Sequence, residues 1–155
     1  MYLYVLLLEG EKYYVGMAED LGLRLWTHFK MSGKTGSAWT KKHKPISVIH
    51  CNKLEGSMHD FKRIEQQATL RLAKLKGFSS VRGGGFSLTS ENYPSSWDEK
   101  LDNIPPADLD SMNPISPKKL KELMVGKYQL WLKQRREGIE KKKTYNKSLN
   151  SDAPR

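Results

Sequence analysis

Tyr2-Leu3-Tyr4-Val5-Leu6-Leu7-Leu8-Glu9-Gly10-Glu11-Lys12-Tyr13-Tyr14-Val15-Gly16 is the stretch of this 155-residue chain that decides its fold. Tyr2 to Leu8 is apolar and rich in strand formers, and reads as a buried strand. Glu9-Gly10-Glu11 reads as a turn, and Lys12 to Gly16 as the returning strand of a hairpin. If those turn residues form a three-residue loop closed by Leu8 opposite Lys12, Tyr14 faces Leu6 and Tyr4 faces Gly16. Side chains alternate faces along a strand, so Tyr4 and Tyr14 then share one face as diagonal neighbours. A two-residue turn would put them on opposite faces; the glycine suits the longer loop.

Working outward, Glu19 and Asp20 can start a helix with Leu21, Leu25 and Phe29 on its buried side. Arg24 and His28 are four apart on that helix and so are neighbours on its surface. Gly33 and Gly36 open a loop, and Pro45 to Cys51 reads as a third strand, with Ile46, Val48 and His50 alternating against Ser47 and Ile49. Ser57 or Asp60 can cap the next helix. Its apolar stripe runs through Phe61, Ile64, Ala68, Leu72 and Leu75, and Gly77 ends it. Glu65 lies at the margin of that stripe. Val81 to Gly85 is a glycine-rich turn. The order β-β-α-β-α implies an α+β domain, a small three-stranded antiparallel sheet flanked by helices.

Charge divides the chain into three. Residues 1–90 carry a net +7, residues 91–113 a net −5 and residues 114–155 a net +8, for an overall +10. The acidic middle also holds Pro94, Pro105, Pro106 and Pro114 and reads as a linker over 94–116. Beyond it, 117–155 reads as a basic tail, helical from Lys118 to about Lys143 and frayed after Tyr145. Leu120, Leu123, Met124, Tyr128 and Trp131 form its apolar positions, and Gly126 and Gly138 weaken it. The domain proper is 1–93.

A sequence pI of about 9.6 favours a polyanionic partner, since Lys and Arg that neutralise phosphates release condensed counterions. Hydrophobic residues make up 37% of the chain, low enough for part of it to be solvated. Cys51 is the only cysteine, which excludes an internal disulfide framework and a multi-cysteine zinc site. The spacing of His43, His50 and His59 around Cys51 matches no tetrahedral site either. A reducing, intracellular setting (cytoplasm, nucleoid or nucleus) follows as the expectation. The apolar run from Leu3 to Leu8 is too short to span a bilayer, and it lacks the leader and cleavage pattern of a signal peptide. No membrane partner and no small-molecule cofactor are expected.

The opening stretch resembles the two first strands of the GIY-YIG nuclease superfamily. Leu3-Tyr4 stands where the family has the end of GIY, with Tyr2 in place of its glycine, and Tyr14-Val15-Gly16 stands where it has YIG. Arg24 and His28 form the R-x-x-x-H pair expected on the first helix. Gly36 to Pro45, GSAWTKKHKP, resembles the loop before the third strand. Glu65 falls where the family keeps its metal-binding glutamate, and Val81-Arg82-Gly83-Gly84 resembles the close of the domain in one branch. The resemblance covers roughly residues 1–93. Besides Tyr2, it departs from the family near the close: the expected asparagine is missing, with Ser79, Ser80 and Arg82 in its place and Asn92 late.

The resemblance implies a metal-dependent endonuclease that hydrolyses phosphodiester bonds in DNA, with Tyr4, Tyr14, Arg24, His28 and Glu65 as catalytic residues. Glu65 would hold Mg²⁺ or Mn²⁺, since such a hard cation needs one or two carboxylates and keeps most of its waters. Arg24 would clamp the phosphate through its planar fork. The tyrosines would act as base or water-positioning groups, with Tyr4 favoured as base and Tyr14 as phosphate positioner, and His28 would assist proton movement. Lys34, Lys41, Lys42 and Lys44 in the basic loop, Arg82 in the turn, and Arg135 and Arg136 in the tail are candidate DNA contacts. Trp39 in that loop is expected to pack inward. Two other readings stay open: a catalytically impaired nucleic-acid-binding module that keeps the fold, and a protein-interaction scaffold using the Leu120–Trp131 face.

Overall fold

A computed structural model describes residues 1–30 and 37–151. Strands β1 (Tyr2–Leu8) and β2 (Lys12–Ala18) form an antiparallel hairpin in the expected register, with Leu8 opposite Lys12, Leu6 opposite Tyr14 and Tyr4 opposite Gly16. The loop between them is possible because Gly10 and Glu11 both take positive φ, 70° and 55°. Helix α1 (Leu21–Lys30) follows, capped by the Asp20 carboxylate, which accepts from Leu23 N–H at 2.8 Å. A short helix α2 (Ala38–Lys42) leads into β3 (Pro45–Lys53), which pairs antiparallel with the other edge of β1. Helix α3 (Met58–Lys76) begins with a reciprocal capping box between Ser57 and Asp60 and stops at Gly77.

The chain is α+β, but the sheet has four strands rather than three and is mixed rather than purely antiparallel. Val81–Arg82 forms a short β4 that pairs parallel to β2 at Tyr13 and Tyr14, giving the order β3-β1-β2-β4. Both faces of the sheet are covered, which is why β1 reads as an unbroken apolar run. Leu3, Val5, Tyr13 and Val15 pack on one face with Leu70, Leu72 and Ala73 of α3 and with Phe78 and Val81. Tyr4, Leu6 and Leu8 pack on the other with Leu21 and Leu25 of α1 and with Trp39. A bulge between Val5 and Leu6 sends Val48 to the α1 side and Ile49 to the α3 side. Leu75 and Ile46, expected on apolar stripes, are 42% and 57% exposed.

Segment 94–116, expected as a linker, is tied to the domain along its length. Its 3-10 helix (Ser95–Leu101) lays Trp97 against Phe78 and Phe86, with ring centroids 5.2 and 4.8 Å apart. Ala107 N–H donates to Arg71 O at 2.9 Å, and Ile115 N–H to Val48 O at 3.1 Å. The basic helical stretch is not one helix. Gly126, at φ 73°, divides it into α4 (Pro117–Met124) and α5 (Lys127–Ser151), and both pack on α1. Among the described residues no helix is long and apolar enough to cross a membrane.

Candidate active site

Register alone puts Tyr4 and Tyr14 on the α1 side of the sheet, and one turn of α1 puts Arg24 and His28 above them. Tyr4 is fully buried, with its phenol 2.9 Å from His28 Nε2. Arg24 donates Nε–H to the same phenol at 3.2 Å and also reaches the Tyr14 hydroxyl. The Tyr14 ring lies 6.3 Å from that of Tyr4 and 5.3 Å from that of His28. His28 Nδ1 meets Thr40 Oγ1 at 3.2 Å, and Thr40 gives its own proton to Ser37 O at 3.1 Å. With that proton on Ser37 O, Thr40 accepts from His28 Nδ1–H, and Nε2 accepts from the Tyr4 hydroxyl, which itself accepts from Arg24. The result is a directed chain: Arg24 to Tyr4 to His28 to Thr40 to Ser37.

Tyr4, His28 and Thr40 in this chain are fully buried, and its titratable members respond accordingly. Burial, then the neighbouring Tyr14, push the Tyr4 phenol above its usual range, against the pull of Arg24. Burial and the Arg24 charge push His28 down to about 3, so its imidazole is neutral. Tyr14, by contrast, is half-buried and lines a cleft of about 320 Å³ with Glu65, Ser37 and the Gly83-Gly84-Gly85 turn.

Glu65 stands on the α3 wall of that cleft. Burial raises its carboxyl above the usual range, while Arg24 and a hydrogen bond from Gly84 N–H pull it back. The Gly84 backbone approaches this closely only because it lacks a side chain: a Cβ there would stand 2.7 Å from Gln66 Cα and 2.9 Å from Thr69 Oγ1. Gly83 is held likewise, since its Cβ would stand 2.3 Å from Val15 O. Among the described residues no group of three or more His, Cys, Asp or Glu side chains gathers. The donor set is thus a single hard carboxylate beside open space. That fits a small hard cation that keeps most of its waters, and it does not fit one needing thiolate or imidazole ligands.

The five residues singled out as catalytic come together, from β1, β2, α1 and α3. Arg82 needs correction. Expected to contact phosphate, it is fully buried, and its guanidinium donates to the carbonyls of Phe78, Val81, Leu88 and Ser90. It is also clamped between Trp39 and Trp97, 4.5 and 5.4 Å from their ring centroids. Arg82 ties the close of the domain together, with four of its five N–H donors engaged by those carbonyls. Trp39 is buried as expected, with Nε1–H donating to Tyr13 O at 3.1 Å. Lys41, Lys42, Lys44, Arg135 and Arg136 are exposed. Lys34 lies outside the described residues. Thr40 and Gly84 escaped the sequence reading; Thr40 carried a signal in its place one turn from the Ser37 cap, whereas nothing local marks Gly84 as the donor to Glu65.

The chain matches no protein-family model, no curated protein and no solved structure.

Proposed function

We propose that the chain is a metal-dependent endonuclease of the GIY-YIG type, hydrolysing phosphodiester bonds in DNA. One observation carries this reading: Arg24 bonds the buried Tyr4 phenol and reaches the hydroxyl of Tyr14, and Tyr14 lines one cleft together with Glu65. Glu65 would hold Mg²⁺ or Mn²⁺, which supplies Lewis-acid stabilisation of the phosphate and the leaving oxygen when bound. Arg24, pinned by both tyrosines, presents its remaining N–H groups to phosphate oxygens and neutralises the charge that builds on them.

Burial divides the roles of the tyrosines in a way the sequence alone does not. Tyr14 meets the cleft and orients the attacking water there. Tyr4 is enclosed, so it and His28 act as positioning residues that fix Arg24 and Tyr14. The fold on this reading is the GIY-YIG fold, with β4 and the glycine turn closing it behind Glu65.

The basic face fits the same substrate. Lys41, Lys42 and Lys44 are exposed close to the α2 end of the cleft and would contact the DNA backbone. A second reading, a nucleic-acid-binding module without activity, is favoured by one observation: the cleft lining includes no asparagine. Supercoiled plasmid incubated with Mg²⁺ or with EDTA separates the two. Metal-dependent nicking or linearisation, reduced about 100-fold or more in Glu65→Ala and in Arg24→Ala, supports the nuclease. Undiminished cleavage by purified Glu65→Ala removes Glu65 as metal ligand, and salt-sensitive binding without cleavage by the parent chain supports the second reading.

A further inference from the structure

Helix α5 starts on the body of the protein and leaves it. Lys127 Nζ meets Asp20 Oδ2 at 2.8 Å, so the residue that caps α1 also anchors α5. Trp131 and Tyr128 then pack on Trp26 of α1, with ring centroids 5.7 Å away in each case. From Lys133 to Ser148 every residue is exposed. Those 16 residues extend about 24 Å at 1.5 Å per residue. The departure point is next to the candidate active site: Trp131 and Gln134 line a cleft of about 460 Å³ together with Arg24 and Thr27.

The free part of α5 carries seven lysines and arginines against two glutamates. At 100° per residue these cations fall on every side of the helix rather than on one stripe. An anionic membrane surface calls for a broad apolar face opposite the charge, which this helix does not have. A second copy of the same helix would meet like charge. A groove with phosphates on both walls matches the distribution. A helix about 10–12 Å across fits a major groove about 12 Å wide. The face that grips Trp26 also continues outward at helical spacing as Arg135, Ile139, Lys142 and Tyr145. Ile139 and Tyr145 there are 46% and 65% exposed.

We propose that α5 is a duplex-DNA-binding arm that lies in the major groove on one side of the cut and sets which stretch of duplex reaches Arg24. Its exposed length spans about seven base pairs at 3.4 Å each. The inference rests on the nuclease reading for the identity of the substrate, but its test does not require cleavage.

The test is fluorescence anisotropy with a labelled 30-base-pair duplex in EDTA, across a salt series, for the full chain and for Arg135→Gln/Lys142→Gln. Both positions are exposed, Arg135 with its guanidinium 5.2 Å from the Trp131 ring centroid, and glutamine keeps helix propensity, which far-ultraviolet circular dichroism checks, while Trp131 emission checks that α5 stays seated. Each lost phosphate contact should reduce the slope of log affinity against log salt by about 0.9. The double variant is therefore expected to lose about 1.8 in slope and roughly tenfold or more in affinity. Hydroxyl-radical footprinting should show a one-sided protection of about seven base pairs that shortens in the variant. Unchanged slope and affinity in a helical variant overturn the proposal. So does tighter binding to single strands than to duplex, binding to anionic vesicles but not to duplex, or self-association through α5 that the substitutions abolish. Duplex binding that needs α5, by a chain that never cuts plasmid with Mg²⁺, supports the arm while removing the nuclease reading. Cleavage unaffected by the double variant does the reverse.

Discussion

Gly16→Ala adds one methyl group at the place where the candidate site is tightest. The new Cβ would stand 2.4 Å from Tyr4 Oη, 2.6 Å from Tyr4 Cζ and 2.8 Å from Tyr14 Cε1. Comfortable carbon contacts lie at about 3.5–4.0 Å, so each ring must move by about 1 Å. Tyr4 is enclosed on all sides and has nowhere to go. Overpacking of this kind costs about 1–3 kcal/mol. Pulling the phenol off His28 and Arg24 weakens two hydrogen bonds with a net value of about 1 kcal/mol each. Alanine restores about 0.4–1 kcal/mol by restricting the unfolded chain. The balance is a loss of about 2–4.5 kcal/mol, or a fall of roughly 4–18 °C in Tm for a chain of this size. Gly138→Ala is the control: a Cβ there meets nothing within 4 Å, and helix propensity predicts a gain of up to about 1 kcal/mol. Urea unfolding of both variants, with near-ultraviolet circular dichroism for the tyrosine rings, reads the difference. A Gly16→Ala protein as stable as its parent, with unchanged tyrosine signal, would refute the packing argument.

Three further outcomes follow from the same geometry. His28, held down to about 3 by burial and Arg24, refuses a proton that the unfolded chain accepts near 6.5, so its contribution is present above pH 6.5 and lost as pH falls toward 3. His28→Gln should flatten the fall of unfolding free energy across that window by up to about 1.4 kcal/mol per pH unit, and parallel curves from urea titrations at several pH values would contradict this. Glu65 is shifted the other way by burial, so its contribution is present at acid pH and lost as pH rises through the raised carboxyl value. Glu65→Gln should be more stable than the parent near pH 7 and lose that advantage near pH 4; a constant difference would show the carboxyl unperturbed. Arg82→Met removes the guanidinium donors to the carbonyls of Phe78, Val81, Leu88 and Ser90 and the cation between two indoles. A loss of about 3 kcal/mol or more is expected in denaturant, and a loss under 1 kcal/mol would show the residue to be dispensable to the fold.

What the sequence reveals of this molecule is what local rules control. The hairpin register follows from loop length and the Gly10 turn, and it carries the tyrosine pair with it. Helix spacing carries Arg24 and His28, and the Ser57-to-Asp60 box marks the start of α3. The remainder depends on residues distant in sequence. Val81–Arg82 is too short and too close to glycines to show a strand period, and only β2 makes it one. Arg82 reads as an exposed turn residue because its enclosure comes from Trp97, in an acidic stretch rich in proline that by composition should have stayed away from the core. Which tyrosine meets the cleft is likewise set by Thr40, Trp39 and the glycine turn, and not by the motif that contains both phenols. Gly126 was legible as a weak point but not as a complete break.

The four tryptophans of this chain fall into two pairs with separate surroundings. Trp39 and Trp97 flank the Arg82 cation, so their emission reports whether the close of the domain is sealed. Trp26 and Trp131 touch each other where α5 leaves α1, so theirs reports whether that helix is seated. Single replacements by phenylalanine would split the intrinsic fluorescence into two local optical gauges. Loosening of the long helix could then be followed separately from loosening of the sheet, with no dye attached.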